Sequence, residues 1–264
     1  MNKESTPLIE IRNLSYEYGQ DENTVRAIED VDLSILPGEF ICVLGPSGCG
    51  KSTLLNILAG YLSPTEGSCT MNEEPIVGPS WHRGVVFQSP TLYPWLNVRE
   101  NVEFGPKVRG ISKEQYTKVS DHYLKEVRLT DFAEKPVFEL SGGMKQRIAL
   151  ARALANEPSV VLMDEPFGAL DALTRTKMQA LVRTIWQNNN STFFLITHDI
   201  DEALALGTRV VVMSPSPGKI VKTFDIDFTN LSSSDDFGHV HYNEDYIKIK
   251  DEILDLIHFE IDDM

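Results

Sequence analysis

The chain has 264 residues, of which 42% are hydrophobic and 24% charged, so it can form a full core and is too apolar for a disordered chain. Its formal net charge of −15 argues against a protein that binds nucleic acid by neutralising phosphates, and we expect no nucleic-acid partner. The three cysteines are too sparse for a disulfide framework, which favours a reducing cytoplasm. No apolar run reaches the roughly 18 to 20 residues of a membrane-spanning helix, so any membrane role should pass through a partner.

Strand and helix patterns alternate over most of the chain. Apolar runs predict buried strands, and amphipathic patterns predict helices between them. The strands are expected at 8–16, 31–35, 40–44, 84–88, 160–164, 192–197 and 210–214, and the helices at 51–61, 143–156, 172–188 and 200–206. This alternation predicts an α/β core with a parallel sheet.

Two segments differ from that pattern. Residues 89–140 are mostly helical in character, with a helix at 112–127, and we interpret them as a helical insertion. Near the end, a polar linker at 231–236 precedes a helix at 243–259, capped by Asn243, in an acidic tail. The tail helix could be a solvated appendage, or it could cover the core or contact a partner.

A glycine-rich motif follows the buried strand 40–44. Residues 45–52 match GxxxxGK(S/T), and an apolar helix comes directly after them. Such a loop turns backbone N–H groups towards a β-phosphate, while Lys51 neutralises the β and γ oxygens and the hydroxyl of Ser52 ligates Mg²⁺. Cys49 is interpreted as a small filler rather than a nucleophile. The predicted ATP-binding residues of this segment are Gly45, Pro46, Ser47, Gly48, Cys49, Gly50, Lys51, Ser52 and Thr53.

A pair of carboxylates ends the apolar strand 160–164. In a parallel sheet the carboxyl edge is where ligands bind, which places Asp164 and Glu165 at such an edge. We expect Asp164 to hold Mg²⁺ through its water and Glu165 to orient or deprotonate the attacking water. Together with the phosphate loop, this pair predicts a nucleotide hydrolase.

The segment LSGGMKQRIALARAL at 140–154 precedes that strand, and with it the sequence resembles the ATP-binding subunits of ABC transporters over residues 8–225. The resemblance implies a P-loop NTPase core of 1–88 and 155–230 with a mixed or parallel sheet and an N-terminal antiparallel β portion. It also implies a helical signature subdomain of 89–154, followed by the acidic tail of 231–264. ATP and Mg²⁺ are the implied cofactors.

The same resemblance implies the site residues. Tyr18 would stack on adenine, although Tyr16 lies two residues away and could take that place. Glu165, His198 and Lys51 would act in catalysis, and Ser52, Gln88 and Asp164 would ligate the metal. Further contacts to ATP would come from Gln88, the signature residues Ser141, Gly142 and Gly143, and Asp171 of the D-loop segment 169–171.

The signature is by itself a second phosphate binder, because a serine and two glycines before a helix offer a hydroxyl, N–H groups and a helix N-terminus. One chain has no use for two such binders. The resemblance therefore implies a head-to-tail dimer with a second ATP-binding subunit, identical or a close paralogue, that closes on ATP. It also implies transmembrane permease subunits, a periplasmic or lipid-anchored solute-binding protein and a peripheral place on the cytoplasmic face of the membrane.

Three further segments, 93–102, 196–203 and 213–220, resemble the nitrate, sulfonate and taurine importer group. In that group the first faces the permease, so Tyr93, Pro94 and Trp95 could contact it, or they could pack inside the helical part. Importers of thiamine precursors, riboflavin or bicarbonate share the segment, so the solute is not encoded. A soluble ABC-type ATPase acting on ribosomes or DNA is the rival hypothesis, opposed by the single cassette and the negative charge.

Overall fold

The computed structural model describes residues 6–19, 24–189, 191–226 and 244–262. The chain forms two compact units: Met1–Pro79 with Thr192–Met264 is unit 1, and Ser80–Ser191 is unit 2. No helix within the described ranges is both long and apolar enough to cross a bilayer. The predicted linker 231–236 and the capping residue Asn243 lie outside these ranges.

Unit 1 contains two sets of paired strands. Its strands are β1 (Ile9–Tyr18), β2 (Val25–Ile35), β3 (Phe40–Leu44), β4 (Glu66–Met71), β5 (Glu74–Pro75), β8 (Thr192–Ile196), β9 (Arg209–Met213) and β10 (Ile220–Asp225). An antiparallel set has the order β2-β1-β4-β5, and a second set runs β10-β9-β3-β8, with β3 parallel to both neighbours and β10 antiparallel to β9. Its helices are α1 (Lys51–Ala59), α6 (Ile200–Leu206) and α7 (Glu244–Asp262).

The core of unit 1 lies around β3 and β8. Every residue of these two strands is buried, and the rings of Phe40 and Phe193 stack at 5.3 Å between centroids. Continuous apolar strands of this kind are typical of a parallel sheet covered on both faces. The pairing aligns the ends of β3 and β8, which fixes where the following loops begin.

Unit 2 combines a parallel strand pair with helices. Its strands are β6 (Arg83–Val86) and β7 (Val160–Asp164), and its helices are α2 (Val98–Val108), α3 (Lys113–Glu126), α4 (Gly142–Leu154) and α5 (Ala172–Asn189), with 3-10 turns at Thr130–Phe132 and Val137–Glu139. Asn97 begins α2 with a capping box: its side chain accepts from the N–H of Glu100, whose carboxylate accepts from the N–H of Asn97.

Several predicted bounds are confirmed and others are wrong. β3, β7 and α6 have the predicted bounds, whereas α2, β4, β5 and β10 were not predicted. Prediction missed α2 because Gly105 and Pro106 interrupt its last turn. β2 begins at Val25, whereas the prediction placed its start at 31. Asp30 has a left-handed φ of 48° and interrupts the alternation of apolar and polar residues, which hid the first part of the strand.

Helix α7 packs against the core. Tyr246 and Ile253 are completely buried, and the helix contacts α6 and β9. The interpretation of this helix as a solvated appendage is therefore wrong, and the alternative, that it covers the core, is the one found. These two residues are seven positions apart, which puts them on the same face of the helix, as expected for a docked helix.

Candidate functional site

The phosphate loop of unit 1 lies between β3 and α1 and needs its glycines. Gly48 and Gly50 adopt left-handed φ values of 82° and 90°. A Cβ on Gly50 would lie 2.6 Å from the carbonyl oxygen of Ala27, and one on Gly45 would lie 2.7 Å from the sulfur of Cys49. Larger residues would displace this backbone, so the glycines are needed for the curvature of the loop, and such a curved loop is suited to binding a phosphate through its N–H groups.

Lys51 is a buried cation at the start of α1, with only 7% of its surface exposed. Its Nζ donates to the carbonyl oxygens of Gly45 and Pro46, both at 2.8 Å. Cys49 is also buried, 3.7 Å from that nitrogen, and burial raises the pKa of its thiol although Lys51 opposes the shift. A thiol kept protonated in this way suits a filler rather than a nucleophile.

Tyr18 stands beside the first turn of α1. Its hydroxyl lies 3.1 Å from the Oγ1 of Thr53, and its ring is 44% exposed. Tyr16 packs edge to face against it at 4.8 Å and is less exposed. Between the two tyrosines, the geometry favours Tyr18 as the ring that can take a flat aromatic ligand.

His198 lies at the same edge of the sheet as the phosphate loop. β3 and β8 pair in parallel with Val43 opposite Ile196, so both strands end together. The buried Thr197 accepts a hydrogen bond from the N–H of Asp199 through its Oγ1 at 3.1 Å, and Asp199 in turn caps α6. The backbone of His198 is therefore held by β8 on one side and by the cap of α6 on the other, while its side chain is exposed.

In unit 2, Gln88 and Glu165 come together at the carboxyl ends of β6 and β7. A Cβ placed on Gly168 would lie 3.5 Å from the Nε2 of Gln88 and 3.8 Å from the Oε2 of Glu165. Glu165 itself has a left-handed φ of 42°, which is rare for a residue with a side chain. Such strain is concentrated at functional sites, where the direction of one side chain matters. Asp164 ends β7 one residue earlier.

The signature residues form the start of α4. Ser141 is the N-cap and accepts from the N–H of Met144 at 3.3 Å, while Gly142 is exposed. Gly143 allows a close approach, because a Cβ there would lie 2.5 Å from the Cγ2 of Thr174. Asp171 precedes α5, and hydrogen bonding from the backbone N–H of Thr174 lowers the pKa of its carboxyl.

Sequence reasoning missed one polar residue of this unit, Gln146. It is almost completely buried on α4, and its Nε2 donates to the carbonyl oxygen of Phe87 at 3.0 Å, directly before Gln88. The sequence signal that could have found Gln146 is its position on the apolar side of an amphipathic helix. A buried amide needs a hydrogen-bond partner, so a glutamine in that position predicts a specific contact.

Each of the two units holds an oxygen donor suited to Mg²⁺. The described residues contain no cluster of three or more histidine, cysteine or acidic side chains that could hold a metal ion. Magnesium needs no such cluster, because it is usually held by one or two protein oxygens together with phosphates and water. The exposed Ser52 and the strand-end Asp164 are donors of that kind.

Comparison with known proteins identifies the family. The family model described as "ABC transporter" matches residues 28–168. The chain belongs to the ABC transporter family. It is 50% identical over 248 residues to the taurine import ATP-binding protein TauB of Jannaschia sp. (strain CCS1), covering 94% of this chain and 92% of the relative. The TauB of Roseobacter denitrificans is also 50% identical, over 250 residues.

Solved ABC cassettes have the same fold. The cassette MJ0796, solved as a dimer in a post-hydrolysis state with ADP and Pi, superposes with a TM-score of 0.73 at 33% identity and covers 83% of this chain and 99% of its own. CbiO1 of Clostridium perfringens, part of the transporter complex CbiONQ, gives a TM-score of 0.76 at 28% identity, with 84% and 89% covered. The predicted P-loop NTPase fold and ATP hydrolysis are confirmed at the level of the family.

Proposed function

We propose that this ABC ATPase drives import of taurine or a related sulfonate through a membrane permease. The observation that carries the proposal is 50% identity to a taurine import ATP-binding protein over 94% of the chain. This span includes the three segments that resemble the nitrate, sulfonate and taurine importer group. Uptake of a thiamine precursor, riboflavin or bicarbonate is the alternative, and the experiment below distinguishes it.

The phosphate loop would bind the β- and γ-phosphates of ATP, with Tyr18 against adenine. The ammonium of Lys51 already lies at the loop, bonded to two neutral carbonyls. Exchange of these partners for phosphate oxygens replaces neutral acceptors by anionic ones, which adds the attraction between opposite charges to each hydrogen bond. Ligand binding would therefore draw Lys51 from the loop backbone to the phosphates.

Mg²⁺ would be held by Ser52, Asp164 and Gln88, where it supplies neutralisation of phosphate charge. Glu165 would orient the attacking water and accept its proton, and its backbone strain is consistent with a side chain held in one direction. His198 would donate a hydrogen bond to the γ-phosphate. These roles, and the subdomain bounds 89–154, remain predictions.

Dimerisation and permease binding follow from the family, since the related MJ0796 cassette was solved as a dimer and CbiO1 is part of a transporter complex. The exposed start of α4, with the hydroxyl of Ser141 and the unhindered Gly142, would bind the γ-phosphate held by the phosphate loop of the second subunit. A periplasmic or lipid-anchored solute-binding protein would deliver the solute to the permease. The subunit would then lie on the cytoplasmic face of the membrane.

An aromatic patch in unit 2 is suited to permease contact. Tyr93 packs inside it, with ring centroids 4.5 Å from Phe104 and 5.4 Å from Trp95. Trp95 itself is 74% exposed. Tyr93 thus packs against neighbouring rings, as one of the two interpretations expects, and the exposed Trp95 would give the permease an aromatic anchor of the kind enriched at protein interfaces.

The test is solute-stimulated ATP hydrolysis in vesicles that contain this chain together with a candidate permease and a candidate solute-binding protein. Addition of taurine, with the solute-binding protein at a saturating concentration, should raise the rate of ATP hydrolysis. The Trp95→Ala variant should lose this stimulation and keep its basal rate of hydrolysis. Val77→Ala, an exposed apolar residue of unit 1, is the matched control. Stimulation by bicarbonate, riboflavin or a thiamine precursor and not by taurine or another sulfonate would contradict the proposal.

A further inference from the structure

Asp201, in the first turn of α6, is bonded by two side chains of the C-terminal helix. The hydroxyl of Tyr246 donates to its Oδ1 at 2.7 Å, and the Nζ of Lys250 donates to the same oxygen at 2.6 Å. We call these three residues the α6–α7 clasp. Asp201 lies three positions after His198 in the sequence, so the clasp acts close to the proposed γ-phosphate contact.

The clasp is built on a firmly packed helix. Tyr246 is completely buried, as is Ile253 two turns later, and an ion pair between Lys222 and Glu252 joins α7 to β10. Burial raises the pKa of Asp201, but the hydrogen bonds from Lys250 and Tyr246 outweigh it and the pKa is lowered overall. The carboxylate therefore stays charged and bonded.

The start of α6 is also supported by its own cap and by packing against β3. The helix has seven residues, and its N-terminus is capped by Asp199, whose side chain accepts from the N–H of Glu202 at 3.1 Å. On the other side of His198, β8 is completely buried and pairs with β3. His198 thus connects a buried strand to a short helix, so a shift of that helix would change the direction of its imidazole.

We propose that Tyr246 and Lys250 are positioning residues for ATP hydrolysis, which hold the first turn of α6 through Asp201 and thereby aim His198. The inference rests on the proposed role of His198. The inference assigns a role in the reaction to the tail helix, which lies outside all of the nucleotide-binding motifs. Nucleotide binding itself should not need the clasp, because the phosphate loop and Tyr18 belong to other elements.

The test uses the full-length chain and the variant Tyr246→Phe with Lys250→Met, which removes both hydrogen bonds and keeps the buried ring and most of the side-chain volume. We expect kcat for ATP hydrolysis to fall about five- to twentyfold with KM for ATP nearly unchanged, because a misplaced catalytic group costs rate rather than binding. Lys250→Arg, which keeps the charge, should retain most of the activity. Lys222→Met is the matched control, since it breaks a different ion pair of α7 and leaves the clasp intact.

A second measurement separates positioning from general loosening. In protein labelled with 13C on histidine, the His198 resonance, assigned with His198→Ala, should shift in the clasp variant and stay in place in Lys222→Met. If the clasp variant does not fold, Tyr246→Phe alone makes the same comparison. Equal losses of kcat in the clasp variant and the Lys222→Met control would overturn the inference.

The inference and the proposed function fail in different ways. If His198→Ala hydrolyses ATP at the wild-type rate, the proposed role of His198 is wrong and the inference falls with it. If His198→Ala is inactive while the clasp variant keeps both its kcat and its His198 resonance, the clasp alone is overturned.

Discussion

Cys49 shows how the position of a side chain decides its reactivity. A cysteine within a phosphate loop, close to a lysine, would ordinarily be a candidate for a reactive thiolate. Here burial raises the pKa of the Cys49 thiol, and burial raises that of Cys42 well above its usual value. All three cysteines are buried, and none of them forms a disulfide.

We therefore expect almost no thiol modification of the native chain by a charged disulfide reagent at pH 7.5 within minutes. Unfolding in guanidinium should expose all three thiols to the reagent. Lys118→Cys, on the exposed face of α3, is the positive control and should react at once. Rapid labelling of the unmodified chain, mapped to Cys49, would show that the loop opens and that its thiol is not inert.

Glu165 combines a carboxylate with an unfavourable backbone. Replacement by glutamine keeps the left-handed conformation but removes the proton acceptor, so ATP should still bind while turnover falls by about a hundredfold or more. Glu157→Gln is the matched control and should leave turnover unchanged. Glu157 also has a positive φ, of 51°, lies in the same unit and is exposed. Steady-state phosphate release and ATP binding by calorimetry provide the measurement. Undiminished phosphate release in Glu165→Gln would remove Glu165 from the role.

Among the secondary-structure elements, α2 depends on one buried amide. Asn101 is completely buried; its Oδ1 accepts from the N–H of Tyr93 at 2.8 Å, and its Nδ2 donates to the carbonyl oxygens of Tyr93, Leu96 and Asn97 at 2.9–3.2 Å. The amide thus folds residues 93–97 against α2 and places the aromatic patch. A single side chain with several backbone partners is costly to remove, since each group left unpaired is desolvated without compensation.

We expect Asn101→Ala to reduce the free energy of unfolding by about 2–4 kcal/mol, because buried backbone groups lose their partner. Thermal unfolding followed by circular dichroism measures this effect. Lys118→Ala, which removes an exposed ion pair with Glu114, should cost less than about 0.5 kcal/mol and serves as the control. Equal melting temperatures for the two variants would contradict the structural role of Asn101.

The same elements show what the sequence can predict. β3 and β7 were predicted with correct bounds, because continuous apolar runs lead directly into a motif. β4, with its sequence EGSCTM, has no such run and is stabilised by pairing with β1, a long-range partner that no local pattern contains. The α6–α7 clasp could not be predicted for the same reason, because Tyr246 and Lys250 lie 45 and 49 positions after Asp201 in the sequence.

For the molecule as a whole, the proposed function depends on association in the presence of ATP. Each chain carries a formal charge of −15, so we expect two identical copies to repel one another until bound nucleotide provides contacts that outweigh the repulsion. The exposed Ser141 and Gly142 at the start of α4 are suited to provide them. The chain alone should therefore be a monomer at micromolar concentration, and the hydrolysis-deficient Glu165→Gln variant should form a dimer with ATP and Mg²⁺.

Ser141→Arg, combined with Glu165→Gln, should bind ATP with nearly unchanged affinity and remain monomeric. The reason is that the large side chain occupies the space in front of the helix N-terminus that the γ-phosphate of the second subunit needs, while the phosphate loop lies in another unit of the chain. Gln115→Arg in the same background is the control, since it adds the same charge to the exposed start of α3. Light scattering with saturating ATP and Mg²⁺ measures the mass. A dimer formed equally by the Ser141→Arg and the Gln115→Arg variants would rule out the signature as the second phosphate binder.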